Sequence, residues 1–180
     1  NDEGEFKNRK IVIAEALLES VIKDCSIENY QEIKKFKGKD LKDTICNHPF
    51  YNLGYEYDIP MLEARFVTTV QGKGIVHCAP SHGPDDFNLC LNNGIKAIET
   101  VDGDGKYTSN VHLFEGNHIF KANPIVIEKL KEQKKLLSNG ELIHSYPHSW
   151  RSKAPLVHRA TPQWFISMES HKLRETALKA

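Results

Sequence analysis

The stretch that most constrains the fold runs from residue 64 to 94 and combines a glycine turn, a proline and a helical pattern. Two β-branched runs within 64–80 are separated by a G-K-G turn at 72–74, which is typical of a β-hairpin. Pro84 then stands where a first helical residue is expected, with carboxylates in the following turn and Gly94 as a C-terminal cap. The sequence therefore predicts two strands and a short helix in direct succession.

The remaining patterns predict a mixture of helices and short strands. Residues 11–13 are an apolar run that predicts a strand, and 14–25 carry the i, i+3, i+4 spacing of an amphipathic helix. A second amphipathic helix is expected over 122–137, with Pro124 near its start, where proline is tolerated. Strand-rich sequence interrupted by two or three helices favours an α+β or mixed β-barrel-like fold over a doubly wound parallel sheet.

Composition restricts the class of protein. Lysine plus arginine equals aspartate plus glutamate at 24 each, so the chain lacks the general basic excess of many nucleic-acid binders, and any RNA contact is expected to be local. No apolar run reaches bilayer length and no signal peptide is recognisable, so a cytoplasmic location without membrane contact is expected. The four cysteines show no close pairing and are expected to be reduced. The chain is also expected to be part of a longer polypeptide.

Three other features are interpreted as structural. The V-D-G-D-G segment at 101–105 lacks the later ligands of a calcium loop and predicts a turn. His144 and His148 have metal-ligand spacing, but the proline between them argues against the helix that would present both to zinc. Trp150 and Trp164, which lie near basic residues, could stack on bases, although packing in the core or between domains is the preferred interpretation.

One pair of residues could carry hydrolytic chemistry. If 74–79 is a strand, Ile75, His77 and Ala79 share one face, and Asp86 follows in the first turn of the next helix. Histidine suits proton transfer because its pKa lies near neutral pH, a contribution of roughly 10²- to 10⁴-fold. A carboxylate can hold a substrate ammonium for about 1.5 to 3 kcal/mol. The spacing alone leaves open that Asp86 only stabilises the helix start and that His77 is an ordinary strand histidine.

A cysteine nucleophile is a weaker alternative. Cys78 lies between the two candidate residues, but a small, buried, protonated thiol is the usual state of such a residue. No second histidine is clearly placed to activate it.

Two long motifs resemble one family. The segment G-K-G-I-V-H-C-A-P-S-H-G-P-D-D-F at 72–87 resembles the insertion that isoleucyl-tRNA synthetases carry in their catalytic domain. The segment from 144 to 168 resembles the stretch by which that insertion returns to the synthetase core, and V-D-G-D-G and I-F-K-A-N fall between them in the expected order. The V-H pair favours the isoleucyl type over valyl and leucyl relatives. The resemblance covers essentially the whole chain.

The resemblance implies a fold, an activity and site residues. The fold would be the β-barrel-like editing domain of class I synthetases, and the activity would be hydrolysis of valine mistakenly attached to isoleucine tRNA, with valyl-adenylate as a further candidate substrate. Asp86 matches the aspartate that binds the substrate's amino group, and His77 the histidine that shapes the pocket. The same motif assigns substrate contacts to Gly74, Val76, Ala79 and His82.

The chain also departs from the family pattern. A threonine-rich strand that normally precedes this region and lines the pocket does not occur in the 180 residues, which leaves a non-catalytic module that binds the tRNA acceptor end as the alternative function. Ser149 and Ser152 stand where some relatives have zinc-binding cysteines, and Lys73 replaces a usual threonine. No metal or cofactor is therefore expected in this chain, because the ATP and magnesium of the parent enzyme would bind elsewhere.

Domain boundaries and partners follow from the same resemblance. We expect an editing body over 1–143 and a returning ribbon and helix over 144–180. The expected partners are the acceptor end of isoleucine tRNA carrying valine and the remainder of the parent synthetase.

Overall fold

The computed structural model describes residues 9–70 and 72–180. Within these ranges the chain forms four α-helices and one two-stranded sheet. Short 3₁₀ turns precede the first and last helices and flank the first strand. The helices are α1 (Leu18–Asp24), α2 (Pro84–Asn92), α3 (Ile119–Glu132) and α4 (Leu173–Lys179), and the strands are β1 (Ile45–Asn47) and β2 (Asp58–Pro60).

The sheet is a small antiparallel pair that supports an aromatic cluster. Strand β1 pairs with β2 in the register Cys46 to Ile59. The connection between them carries Phe50 and Tyr55, which are buried together with Phe114. The rings of Phe50 and Phe114 meet edge to face with centroids 5.8 Å apart. Such a pair adds about 0.5–1.5 kcal/mol beyond the burial of its area. Helix α3 covers this cluster through Val126 and Leu130.

Helix α2 agrees with its prediction. Pro84 occupies the first turn, where its missing N–H removes no hydrogen bond, and two carboxylates follow it at the positive end of the helix. The chain leaves the helix through Gly94, whose φ of +75° is a left-handed conformation that favours glycine. Local sequence signals are therefore sufficient to define both ends of α2.

Helix α3 differs from its predicted bounds of 122–137. It begins at Ile119 because the Nδ1 atom of His118 accepts a hydrogen bond from the Phe120 amide at 3.3 Å and caps the helix start. Pro124 therefore lies inside the helix, beyond the first turn. The helix ends early because Lys134 adopts a left-handed φ of +54°, and the Lys135 amide folds back to the Leu130 carbonyl at 2.9 Å.

The predictions of a strand over 11–13 and a hairpin over 64–80 are wrong. Neither range contains a strand in the described residues, although the chain does turn at 72–74. One backbone hydrogen bond, from the Ala14 amide to the Lys73 carbonyl at 2.8 Å, joins the two regions. The β-branched residues indicate suitability for a strand, but a strand also needs a partner with which to form a ladder. Ile75 and Val76 remain 41% and 52% exposed.

Between 144 and 168 the described residues contain one short antiparallel turn and no longer strand. A single bridge joins His148 and Pro155, and the Leu156 amide donates to the Pro147 carbonyl at 3.0 Å. No helix within the described ranges is long and apolar enough to cross a membrane.

Candidate functional site

The Asp86 carboxylate is held at the start of α2 by the chain that precedes the helix. Its Oδ2 atom accepts a hydrogen bond from the Ala79 amide at 2.7 Å. Asp86 is half-buried and also benefits from the positive end of the helix dipole. A carboxylate offers about four acceptor positions, so this bond leaves capacity for a cationic donor. Asp86 therefore stabilises the 79–82 turn as well as the start of its own helix.

Two thiols lie close enough to Asp86 to feel its charge. Cys90 is buried one helical turn along α2, and Cys78 adjoins the residue that Asp86 binds. Burial and, second, the negative charge of Asp86 raise the pKa of both thiols. A protonated thiol is a poor nucleophile, so this environment argues against Cys78 as a hydrolytic nucleophile. All four cysteines of the chain are free.

His77 is exposed and lies near His48. Burial and, to a smaller extent, the positive charge of His77 lower the pKa of His48. The His48 ring stacks on Tyr55 with centroids 4.5 Å apart, and its Nδ1 atom accepts from the Phe50 amide at 3.0 Å. His48 could not be identified as a site residue from the sequence, which shows only that it lies in an N-H-P turn.

The structure does not join His77 to Asp86 directly. Within the described ranges no hydrogen bond or ion pair links the two side chains. Two surface recesses lie around 34–41 and 166–176, and neither is lined by a residue predicted for the site. The candidate site is therefore a surface loop and a helix start, with an exposed imidazole and a fixed carboxylate.

Gly74 serves close packing in the turn before His77. Its φ is +80°, and a Cβ atom placed on it would lie 2.5 Å from the Cβ of Ala14. Glycine is therefore required both by the backbone conformation and by the space. Of the other residues predicted to bind substrate, Val76 is exposed and Ala79 is half-buried with its amide on Asp86.

Both ring nitrogens of His82 are engaged within the protein. Nδ1 lies 2.8 Å from the carbonyl oxygen of His158, and Nε2 lies 2.6 Å from the hydroxyl of Thr100. The structure therefore gives His82 partners inside the chain, although the motif had assigned it to substrate.

Further bonds fasten the 158–160 segment beside the candidate site. The Ala160 amide donates to the Ser81 carbonyl at 2.7 Å, and the Ser81 hydroxyl donates to the Ile98 carbonyl. Arg159 pairs with Glu99 at 3.2 Å. Sequence reasoning missed these contacts because His82 and His158 are 76 positions apart and no local spacing signals such a pair.

The turn at 101–105 is held by hydrogen bonds within the turn itself. Asp102 closes the turn at 101–105 by accepting from the amides of Asp104 and Lys106, both at 2.9 Å. These bonds, the one from Lys106 first, lower the pKa of Asp102. In the described residues no cluster of three or more histidines, cysteines or acids could hold a metal.

The two tryptophans are not in the core. Trp150 is 77% exposed and Trp164 is fully exposed at 102%. The expectation of core packing is therefore wrong for this chain, while packing between domains stays a prediction. Arg151 lies over the Trp150 ring at 5.0 Å from its centroid, a cation–π arrangement.

Comparison with known proteins gives a consistent result. No family model matches the chain. The isoleucine–tRNA ligase of Pelagibacter ubique is 87% identical over 99% of this chain, which corresponds to 20% of that enzyme. The isoleucine–tRNA ligases of Hahella chejuensis and Gluconobacter oxydans are 47% and 44% identical over 93% and 95% of the chain.

The matched segment is a small part of each relative. The chain spans 17% to 20% of the length of these three curated relatives. Identity of this extent over nearly every residue is evidence of common descent rather than of a shared short motif. The chain is thus homologous, over almost its entire length, to one segment of isoleucine–tRNA ligase, a segment that makes up about a fifth of the Pelagibacter ubique enzyme.

Proposed function

We propose that this chain is the editing segment of an isoleucine–tRNA ligase and that it hydrolyses valine wrongly esterified to isoleucine tRNA. The observation that carries the proposal is the Asp86 carboxylate, which is fixed at the start of α2 by the Ala79 amide and keeps acceptor capacity. The homology with isoleucine–tRNA ligases supports it by supplying the substrate class. The β-barrel-like editing fold belongs to the same proposal, as does a body over 1–143 followed by a returning ribbon and helix over 144–180.

Asp86 would recognise the substrate through its free amine. An aminoacyl ester carries an ammonium group, and a charged hydrogen bond to a carboxylate contributes about 1.5–3 kcal/mol. The 2.7 Å bond to Ala79 orients the carboxylate before substrate binds, so little rotamer freedom remains to be lost. Water would then attack the ester carbonyl, the carbon–oxygen bond to the ribose would break, and the leaving ribose oxygen would take a proton.

His77 would act beside this anchor as a steric gate, a water-orienting group, or both. Its exposed imidazole can be reached by a ligand of the loop. The need for such a gate is general, because a synthetic site gains only about 1–3 kcal/mol from one methylene; isoleucine–tRNA ligase is itself the usual illustration of that limit. A second pocket that admits valine and excludes isoleucine supplies the missing discrimination.

The partners in this proposal are the valine-carrying acceptor end of isoleucine tRNA and the remainder of the synthetase. The chemistry needs no cofactor or metal from this chain, since water is the nucleophile and the protein positions the ester.

A second function, binding of the tRNA acceptor end without catalysis, is favoured by one observation. The His77 imidazole is exposed, and among the described residues no hydrogen bond joins it to Asp86. In this alternative the loop contacts the tRNA end, and the hydrolytic pocket requires residues outside this sequence.

Deacylation assays separate the two functions. The first protein is this chain, and the second is the Pelagibacter ubique relative with its matching segment replaced by this sequence. Release of valine from isoleucine tRNA by the second protein, lost in its Asp86→Ala variant, supports hydrolysis. Binding of the charged tRNA with no release by either protein supports the non-catalytic function and contradicts the first proposal.

A further inference from the structure

Ala79, the residue whose amide binds Asp86, is held on both sides of its Cα, through its amide and through its carbonyl. The Ala79 amide donates to Asp86 Oδ2 at 2.7 Å, and the Ala79 carbonyl accepts from the His82 amide at 2.9 Å. A displacement of His82 therefore changes the position of the Ala79 amide. Because Asp86 is bonded to that amide, it also changes the orientation of the carboxylate.

The His82 side chain holds this turn against two other parts of the chain. A carbonyl oxygen only accepts hydrogen bonds, so Nδ1 of His82 carries the proton that lies on the His158 carbonyl. In the neutral ring Nε2 is then an acceptor and receives the hydroxyl proton of Thr100. One neutral tautomer satisfies both contacts.

Residues 144–168 are called the ribbon below, and its 158–160 segment has additional anchors at the same place. The Ala160 amide donates to Ser81 at 2.7 Å, and Arg159 pairs with Glu99 and donates to the Val101 carbonyl at 3.3 Å. His82 differs from these residues because it makes two kinds of contact. Its ring contacts the ribbon, and its backbone amide donates to the carbonyl of Ala79, whose own amide binds Asp86.

We propose that His82 is a positioning residue that couples the 158–160 ribbon to the Asp86 carboxylate. This inference rests on the proposed function, in which Asp86 holds the substrate amine. The coupling runs from the His158 carbonyl to the His82 ring, from the His82 amide to Ala79, and from Ala79 to Asp86. A shift of the ribbon relative to the body thereby changes the alignment of the bound ester.

Two amide variants of His82 each retain one of its two side-chain contacts. His82→Asn keeps an N–H donor near the position of Nδ1 and so retains the bond to His158. His82→Gln places its amide near Nε2 and retains only the contact with Thr100, whereas His82→Ala removes both. The protein is the full-length relative that carries this sequence as its matching segment.

Deacylation of valyl-tRNA is the first readout. Misplacement of a positioned group by about 1 Å can cost as much as 10²-fold in rate. We expect kcat to fall about 10-fold in His82→Ala and His82→Gln, with KM changed less than about 2-fold, and to recover within about 3-fold of wild type in His82→Asn. Equal losses in the Asn and Gln variants would overturn the proposal, because the ribbon bond would then not be the cause.

Hydrogen exchange tests the coupling without requiring activity. We expect peptides containing the Ala160 and Ala79 amides to exchange about 10-fold faster in His82→Gln than in wild type. His148→Ala is the matched control, since its Nδ1 also lies on a carbonyl, that of Tyr146 at 2.7 Å, but only within the ribbon. This control should leave Ala79 exchange unchanged.

The two measurements distinguish failure of this inference from failure of the proposed function. Faster exchange at Ala160 with unchanged exchange at Ala79 would overturn the coupling even if valine is hydrolysed normally. Absence of hydrolysis in the wild-type protein would reject the proposed function, while parallel changes at both amides would still support a mechanical link between ribbon and turn.

Discussion

Gly74→Ala tests the packing that holds the loop before His77. Gly74 has a left-handed φ of +80°, and its Cα approaches Ala14 so closely that a new Cβ would lie 2.5 Å from the Cβ of that residue. Real Cβ atoms do not tolerate that separation, so either the turn or the segment before α1 must move. The same approach carries the hydrogen bond from the Ala14 amide to the Lys73 carbonyl.

A control variant two residues away separates the conformational part of the expected loss of stability from the packing part. Gly72 has a φ of +78° and open space around its would-be Cβ, so Gly72→Ala carries only the conformational cost. That cost is about 1–2 kcal/mol for a left-handed alanine. Overpacking adds about 1–3 kcal/mol, so Gly74→Ala should destabilise the chain by about 2–5 kcal/mol in total.

Equilibrium urea unfolding gives both values as differences in the free energy of unfolding. Adding Ala14→Gly to Gly74→Ala should restore most of the loss beyond that of Gly72→Ala, because it removes the atom that the new Cβ meets. Equal losses in Gly72→Ala and Gly74→Ala, with no restoration in the double variant, would refute the close approach.

Three other predictions concern the candidate site. Asp86→Asn should lower the pKa of Cys78 and speed its reaction with a thiol reagent at neutral pH, because a negative charge that raises the pKa is removed; an unchanged rate would contradict the contact. His77→Ala should let isoleucyl-tRNA be hydrolysed, and unchanged selectivity in the deacylation assay would remove the gate role. The folded chain holds the pKa of His48 below the usual histidine value of 6.5, so it binds fewer protons than the unfolded chain, and its stability should fall as pH drops below that value. His48→Gln should abolish this part of the pH dependence in urea unfolding, and a retained slope would assign it to another group.

The parts of the fold that the sequence predicted are those determined by neighbouring residues. Pro84 and Gly94 define helix α2 through their own backbone preferences, and Asp102 closes its turn with amides two and four positions away. The apolar spacing of α1 similarly identifies a helix without information about its partners.

The parts that escaped prediction depend on distant partners. The β-branched residues of 64–80 suit a strand, but no pairing partner reaches them in the described residues, and Ile75 stays 41% exposed. Helix α3 begins earlier than predicted because the His118 ring caps its start, a role in which histidine is uncommon. His82 and its carbonyl partner are 76 positions apart, so a motif could name the residue but not what it contacts.

The proposed function depends on recognition by Asp86 of the ammonium group of a misattached amino acid. Hydrolysis of valyl-tRNA should be compared with that of N-acetylvalyl-tRNA, which lacks the charge, by wild type and by Asp86→Asn in the full-length relative carrying this sequence. A charged hydrogen bond of about 1.5–3 kcal/mol predicts that wild type prefers the free amine by roughly 10- to 150-fold, and that Asp86→Asn loses most of this preference. Equal rates on the two substrates in wild type, or the full preference retained in Asp86→Asn, would contradict the claim.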